Sequence, residues 1–238
     1  MTDALIDRAL ILAAGRGERM RPLTDTCPKP LLQVRGKPLI VWHLEALARA
    51  GVKQVLINTA WLEEQFPAQL GDGARWGLSI RYSHEGAQHG GALETAGGIA
   101  TALPLWKLKE DKPFWVLGGD VFMPEFDFAE ADAARFLASK ALAQIYLVSN
   151  PPHNPHGDFG LSPGGMALNK APVQWTYSTV GLYRPGLFTG TPPGQAAALA
   201  PLLRKAMQSG RVSAALYSGP WTDVGTPERL AELNAAAS

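Results

Sequence analysis

Short apolar runs alternate with helix-period segments through the first 148 residues, and this alternation constrains the fold more than any other feature. Ala9-Leu10-Ile11-Leu12-Ala13 is continuously apolar, as suits a strand covered on both faces. Ile40, Leu44 and Leu47 then recur at helical spacing behind Pro38, a residue the first turn of a helix tolerates. Further strands are expected over 54–58, 79–82, 114–117 and 143–148. Helices are expected over 61–70, 94–103 and 126–138. Repeats of this kind build a parallel sheet with right-handed crossovers. The expected fold is therefore α/β, a Rossmann-like doubly wound mixed sheet.

After residue 148 the character changes. Residues 150–165 are rich in proline and glycine and read as an irregular excursion. A strand over 175–183, a helix over 198–208, a strand over 214–217 and a closing helix over 226–236 follow. No internal repeat or flexible linker is visible. The expectation is one domain over 1–238, with a core over about 1–149 and a small insert plus closing elements over about 150–238.

Composition excludes several classes. Lys+Arg number 22 and Asp+Glu 21, so the net charge of +1 gives no support to a nucleic-acid binder. One cysteine, Cys27, excludes an intrachain disulfide framework. No apolar run is long enough to span a membrane, and the first eight residues do not read as a signal peptide. A cytoplasmic protein is expected.

The balanced total hides a local excess. Residues 16–37 hold six basic side chains (Arg16, Arg19, Arg21, Lys29, Arg35, Lys37) against two acidic ones (Glu18, Asp25). They follow the first strand in Leu12-Ala13-Ala14-Gly15-Arg16-Gly17-Glu18-Arg19-Met20-Arg21-Pro22, with Pro28-Lys29-Pro30 beyond. Glycines let a backbone come close to a ligand, and successive N–H groups can cradle phosphate oxygens. The segment is not a Walker loop, because no Gly-Lys-Ser/Thr follows. Nor is it a dinucleotide fingerprint, because Met20 stands where the third glycine is needed. Two aspartates are the other chemical signals. Asp120 follows the 114–117 strand after Gly118-Gly119, which leave space for a ligand. Asp223 lies in Trp221-Thr222-Asp223-Val224-Gly225-Thr226.

The whole pattern resembles the sugar-1-phosphate nucleotidyltransferases, which join a nucleoside triphosphate to a sugar 1-phosphate. The resemblance implies that Leu12, Ala13, Ala14, Gly15, Arg16, Gly17 and Glu18 wrap the nucleotide, and that Arg19 and Lys29 act on the phosphates. It implies that Asp120 and Asp223 hold Mg²⁺. It also implies that Thr95 and Gly97, in Leu93-Glu94-Thr95-Ala96-Gly97-Gly98, flank the base. Gln88, in a long 84–92 approach, is a candidate for the base edge. Gly157, Asp158, Ser178 and Thr179 are the expected sugar contacts. His153-x-x-His156, the 176–179 segment and the short length resemble the branch that transfers a uridylyl group from UTP to N-acetylmuramate 1-phosphate, and so imply a role in peptidoglycan recycling. Mannose 1-phosphate with GTP, glucose 1-phosphate with dTTP or UTP, and a non-catalytic nucleotide-sensing subunit remain alternatives. The expected partners are UTP and a sugar 1-phosphate, with no nucleic acid and no membrane, and a monomer is expected. Cys27, beside the loop cations, is read as a thiol whose pKa those cations lower, without a nucleophilic role. His43 is read as structural.

Overall fold

The computed structural model describes residues 4–107 and 111–235. Seven strands form one sheet: β1 (Arg8–Leu12), β2 (Gln54–Thr59), β3 (Ser79–His84), β4 (Phe114–Gly118), β5 (Ala143–Val148), β6 (Thr176–Tyr183) and β7 (Val212–Leu216). Their order across the sheet is β7-β5-β6-β4-β1-β2-β3. All neighbours pair parallel except β6, which runs antiparallel to both β4 and β5. The sheet is thus mixed, with one reversed strand. Each expected strand is present within two residues at either end.

Helices cover both faces: α1 (Leu39–Arg49), α2 (Gln65–Leu70), α3 (Glu85–His89), α4 (Glu94–Ala102), α5 (Glu130–Ala138), α6 (Leu199–Gln208) and α7 (Pro227–Ala235). The period-two geometry of β1 separates two cores. Ala9 and Ile11 pack with Ile40, Leu44 and Leu47 of α1 and Phe136 of α5. Leu10 points the other way, to Ile99 of α4 and Leu203 and Met207 of α6. A third, small cluster joins Met20, Val34, Leu39, Phe122, Val224 and Leu230. It fastens α7 to the loop after β1, and to a two-residue ladder between Val121–Phe122 and Thr222–Asp223.

Two helix starts differ from expectation, each for a local reason. The helix expected from 126 begins at Glu130. Phe126 and Phe128, two residues apart, both enter the aromatic core, with ring centroids 4.9 Å from each other and 6.1 and 5.0 Å from Trp115. Spacing of two with both rings inside suits extended chain rather than helix. The helix expected from 61 begins at Gln65, after Leu62 takes a positive φ of 45°. The 84–92 approach contains a short helix, α3, rather than only loop. The closing helix runs Pro227–Ala235, and residue 236 lies outside the described residues.

Trp115 is 2% exposed and contacts Phe126, Phe128 and Tyr146. Trp115→Ala is expected to cost about 3–5 kcal/mol of stability. Urea unfolding followed by circular dichroism measures it.

Candidate active site

The carboxyl ends of β1 and β4 open onto a cavity of about 670 Å³. Open α/β sheets bind ligands at this end. One wall consists of Leu12, Ala13, Ala14 and Gly15 after β1, with Gly118 and Asp120 from the end of β4. Glu94 and Thr95 of α4 form a second wall. The far end is closed by Asp158, Phe159, Tyr177 and Thr179, with Leu203 and Arg204 of α6.

The basic loop is ordered largely by its own charges. Gly17 sits at φ +70°, and its carbonyl accepts from Met20 N–H at 2.9 Å and Thr24 Oγ1 at 2.8 Å. The Arg16 guanidinium donates to Thr24 O and to Asp25, both at 2.9 Å, and lies 3.8 Å from the centre of the Trp61 ring. Arg21 donates to the same Asp25 at 2.8 Å. The hydrogen bond from Arg16, with Arg21 adding to it, holds the Asp25 carboxyl below its ordinary range. Exposed Glu18 faces Arg16 and Arg21 at 3.7 Å. Arg16, Gly17 and Glu18 are therefore placed beside the cavity, not on its wall. Arg19 is exposed, and its side chain has no hydrogen bond or ion pair among the described residues.

Lys29 behaves differently. It stands on a single 3₁₀ turn, Lys29–Leu31, with only 13% of its side chain exposed. Its Nζ lies 2.6 Å from Asp120 Oδ2. Asp120 and Asp223 are brought together by the short ladder: Asp223 is opposite Val121, and Val224 N–H donates to Asp120 O at 2.8 Å. Asp223 Oδ1 faces Arg229 Nη1 and lies 2.9 Å from His153 Nε2. Among the described residues, Asp120 Oδ1 and Asp223 Oδ2 stay out of these pairs. Each abuts a glycine, so that a Cβ on Gly118 or Gly225 would come within 3.0 Å of the free oxygen.

The model of the family described as "Nucleotidyl transferase" matches residues 8–164. The chain belongs to the nucleotidyl transferase family. It is 51% identical to an N-acetylmuramate alpha-1-phosphate uridylyltransferase of Neisseria meningitidis, over 97% of this chain and 98% of that protein. A UTP–glucose-1-phosphate uridylyltransferase of Synechocystis is 38% identical over 49% of this chain and 31% of its own. A mannose-1-phosphate guanylyltransferase of Mycobacterium tuberculosis is 40% identical over 60% of this chain and 38% of its own. A Bacillus anthracis crystal structure, described as a glucose-1-phosphate thymidylyltransferase, superposes with a TM-score of 0.78. That superposition covers 97% of this chain and 94% of the other, at 24% identity, and speaks for the fold alone.

In this nucleotidyl transferase several expected residues lie elsewhere than on the cavity. The Cβ that Gly97 lacks would collide with the Gln195 carbonyl, and Gly97 N–H donates to Ala197 O at 3.0 Å. Its smallness thus serves helix packing. Gly157, at φ +65°, and buried Ser178, whose Oγ accepts from Val180 N–H at 3.2 Å, are also off the wall. Gln88 is exposed outside the cavity. The room beside Gly118 and Gly119 is filled by Thr179 and the Leu12 carbonyl, not left open. Burial pushes the Cys27 thiol up, opposite to the effect expected from nearby cations. His43 is structural: burial pulls its pKa down to about 4, and Nε2 bonds Val121 O at 2.8 Å beneath the aspartate ladder.

Of the other wall residues, Thr179 was an expected sugar contact and Glu94 stood in the 93–98 motif, whereas Arg204 and Asn58 carried no motif. Arg204 lies 5.0 Å over the Phe159 ring, donates to Asn169 O at 3.3 Å, and has no carboxylate partner among the described residues. Thr179 holds φ +63°, an outlying conformation for a β-branched residue, and its buried Oγ1 has no partner. Asn58 and Glu94 also line the wall.

The contrast within the loop is testable by thermal melting. Arg16→Ala, which removes the bonds to Thr24 and Asp25 and the Trp61 contact, is expected to lower Tm. Arg19→Ala, an exposed unpaired site, is expected to leave Tm unchanged.

Proposed function

We propose that the chain transfers a uridylyl group from UTP to N-acetylmuramate α-1-phosphate, giving UDP-N-acetylmuramate and pyrophosphate. The observation that carries the substrate is coverage. The muramate relative matches 97% of the chain at 51% identity, whereas the glucose and mannose relatives match 49% and 60% at 38–40%.

In this reading the nucleotide lies along Leu12–Gly15 and Thr95, with its phosphates toward Arg19 and Lys29. An oxygen of the sugar phosphate forms a new bond to the α-phosphorus, and the bond from that phosphorus to the pyrophosphate oxygen breaks. A phosphate monoester loses its second proton near pH 6, so the attacking oxygen is already anionic at neutral pH and needs no general base. Catalysis is then positioning and charge neutralisation. Lys29 comes from the loop side, with Asp120 fixing its Nζ. Arg19, with no internal partner, is free to meet the leaving pyrophosphate.

The donor set suits Mg²⁺. Asp120 and Asp223 offer one uncommitted oxygen each, and no group of three or more His, Cys, Asp or Glu side chains forms a metal cage among the described residues. Two hard oxygens, with phosphates and water completing the shell, match the preference of that ion. When bound, it supplies charge neutralisation and a template for the two phosphate groups. Arg229 and His153 hold Asp223 by its other oxygen and so aim the carboxylate.

At the sugar end, N-acetylmuramate differs from N-acetylglucosamine by a lactyl ether with a carboxylate. Arg204, a wall guanidinium that donates to the Asn169 and Asp158 carbonyls and has no carboxylate partner among the described residues, matches that group.

Pyrophosphate release across four nucleoside triphosphates and several sugar 1-phosphates tests the reading. UTP with N-acetylmuramate 1-phosphate is expected to give the highest kcat/KM, and exclusive use of GTP would overturn the uridylyl assignment. Asp120→Asn, Asp223→Asn and Lys29→Ala are each expected to lower kcat by about 10²–10³-fold while the protein stays folded. Arg204→Gln is expected to reduce the preference for N-acetylmuramate over N-acetylglucosamine 1-phosphate by about tenfold or more.

A further inference from the structure

Two backbone donors at the nucleotide end of the cavity are joined through a buried pair of side chains. Ala13 N–H donates to Asn58 Oδ1 at 2.8 Å, and Asn58 Nδ2 donates to Glu85 Oε1 at 2.7 Å. Leu93 N–H donates to Glu85 Oε2 at 2.8 Å. Asn58 is 2% exposed and Glu85 not at all. A Cβ on Gly98 would lie 2.6 Å from both Asn58 Nδ2 and Glu85 Oε1, so α4 closes over the pair.

Both ends of this chain of bonds are N–H groups, which cannot invert. An amide between them accepts once and donates once. The group meeting the second end must therefore accept on both sides, as a carboxylate does. With glutamine at position 85, two donors face each other however the amides are turned. Burial pushes the Glu85 carboxyl upward, against the bonds from Leu93 and Asn58. A carboxylate kept in so unfavourable a place has a specific task.

The two donors point to that task. β1 ends at Leu12 because Ala13 N–H leaves the ladder for Asn58. Leu93 immediately precedes Glu94, held at φ +58° on the cavity wall. We propose that Asn58 and Glu85 are positioning residues for the nucleotide, setting the gap between the Ala13–Gly15 backbone and the Glu94–Thr95 wall. This rests on the reading that the nucleotide occupies this end of the cavity.

The test is an exchange of polarity. Wild type, Glu85→Gln, Asn58→Asp and the double variant are compared by pyrophosphate release, with UTP and sugar 1-phosphate varied separately, and by Tm. Glu85→Gln faces a donor with a donor, and Asn58→Asp faces a carboxylate with a carboxylate. Each is expected to raise the KM for UTP about tenfold, with the KM for the sugar 1-phosphate changed less than about twofold. In the double variant the carboxylate at 58 accepts from Ala13 and from the amide at 85, whose carbonyl accepts from Leu93. Its UTP KM is expected to return to within about threefold of wild type.

A double variant no better than the worse single overturns the proposal. So does a parallel rise in both KM values, which marks a general loss of structure. Should a single variant fail to fold, the double decides: wild-type-like UTP KM supports the proposal and a raised one overturns it. If wild type prefers another triphosphate, the uridylyl reading fails and the same series run with that nucleotide still tests the pair. A wild type that binds no nucleoside triphosphate overturns both.

Discussion

The contact between Lys29 and Asp120 organises the site. It joins residues 91 apart in sequence at 2.6 Å, and each partner is delivered by a different strand end. For it to form, β1 and β4 must lie side by side, as they do with Ile11 opposite Leu117. Gly119 N–H must reach Leu12 O, which it does at 2.8 Å. The loop after β1 must also turn back over the sheet. Thr24 and Asp25 make that turn possible by engaging Gly17 and Arg16. The ion pair is partly screened on the Asp120 side, whose side chain is 40% exposed, so its importance is geometric more than energetic.

The local excess of positive charge has a division of labour that composition alone does not display. Arg16 and Arg21 share Asp25, Lys37 pairs with Glu45 and stacks on Trp42, and Arg35 lies over Phe122. Four of the six cations thus hold the loop and the start of α1. Of the other two, Lys29 pairs with Asp120, and Arg19 has no partner among the described residues; on the proposed reading both face the phosphates. A loop that had to be organised by the ligand itself would lose binding energy to ordering, and internal charge pairing reduces that loss.

The central strands β1, β2, β4 and β5 were legible because each is a compact, largely apolar run, and their near-continuous burial allows little else. The motif residues Lys29, Asp120 and Asp223 were legible through their spacing to glycines, prolines and strand ends, and the structure gathers all three. What escaped the sequence depends on contacts distant along the chain. Phe126 and Phe128 read as helical until Trp115 and Tyr146 draw both rings inward. Gly97 reads as an opening for a base until the Gln195 carbonyl occupies the space. Arg204 carries no motif, because its meaning comes from Phe159 beneath it and from its having no ion pair among the described residues. Asn58 and Glu85 are 27 residues apart on different elements, and only their shared burial reveals them.

On the proposed reading the cavity has a nucleotide end and a sugar end, and the two are built by different means. The nucleotide end is mostly backbone and small side chains, Leu12 to Gly15 and Gly118, fixed by the parallel strands. Changing its shape would mean moving the sheet. The sugar end is made of side chains, Asp158, Phe159, Tyr177, Thr179 and Arg204, carried by the irregular excursion, the reversed strand β6 and α6. Within β6 the pairing register with β5 shifts between Tyr177 and Gly181, with Thr179 at its strained φ inside the shift. A bulge of this kind re-aims side chains while leaving the flanking ladder intact. On that reading, substituting a few residues there alters the accepted sugar without disturbing the phosphate machinery.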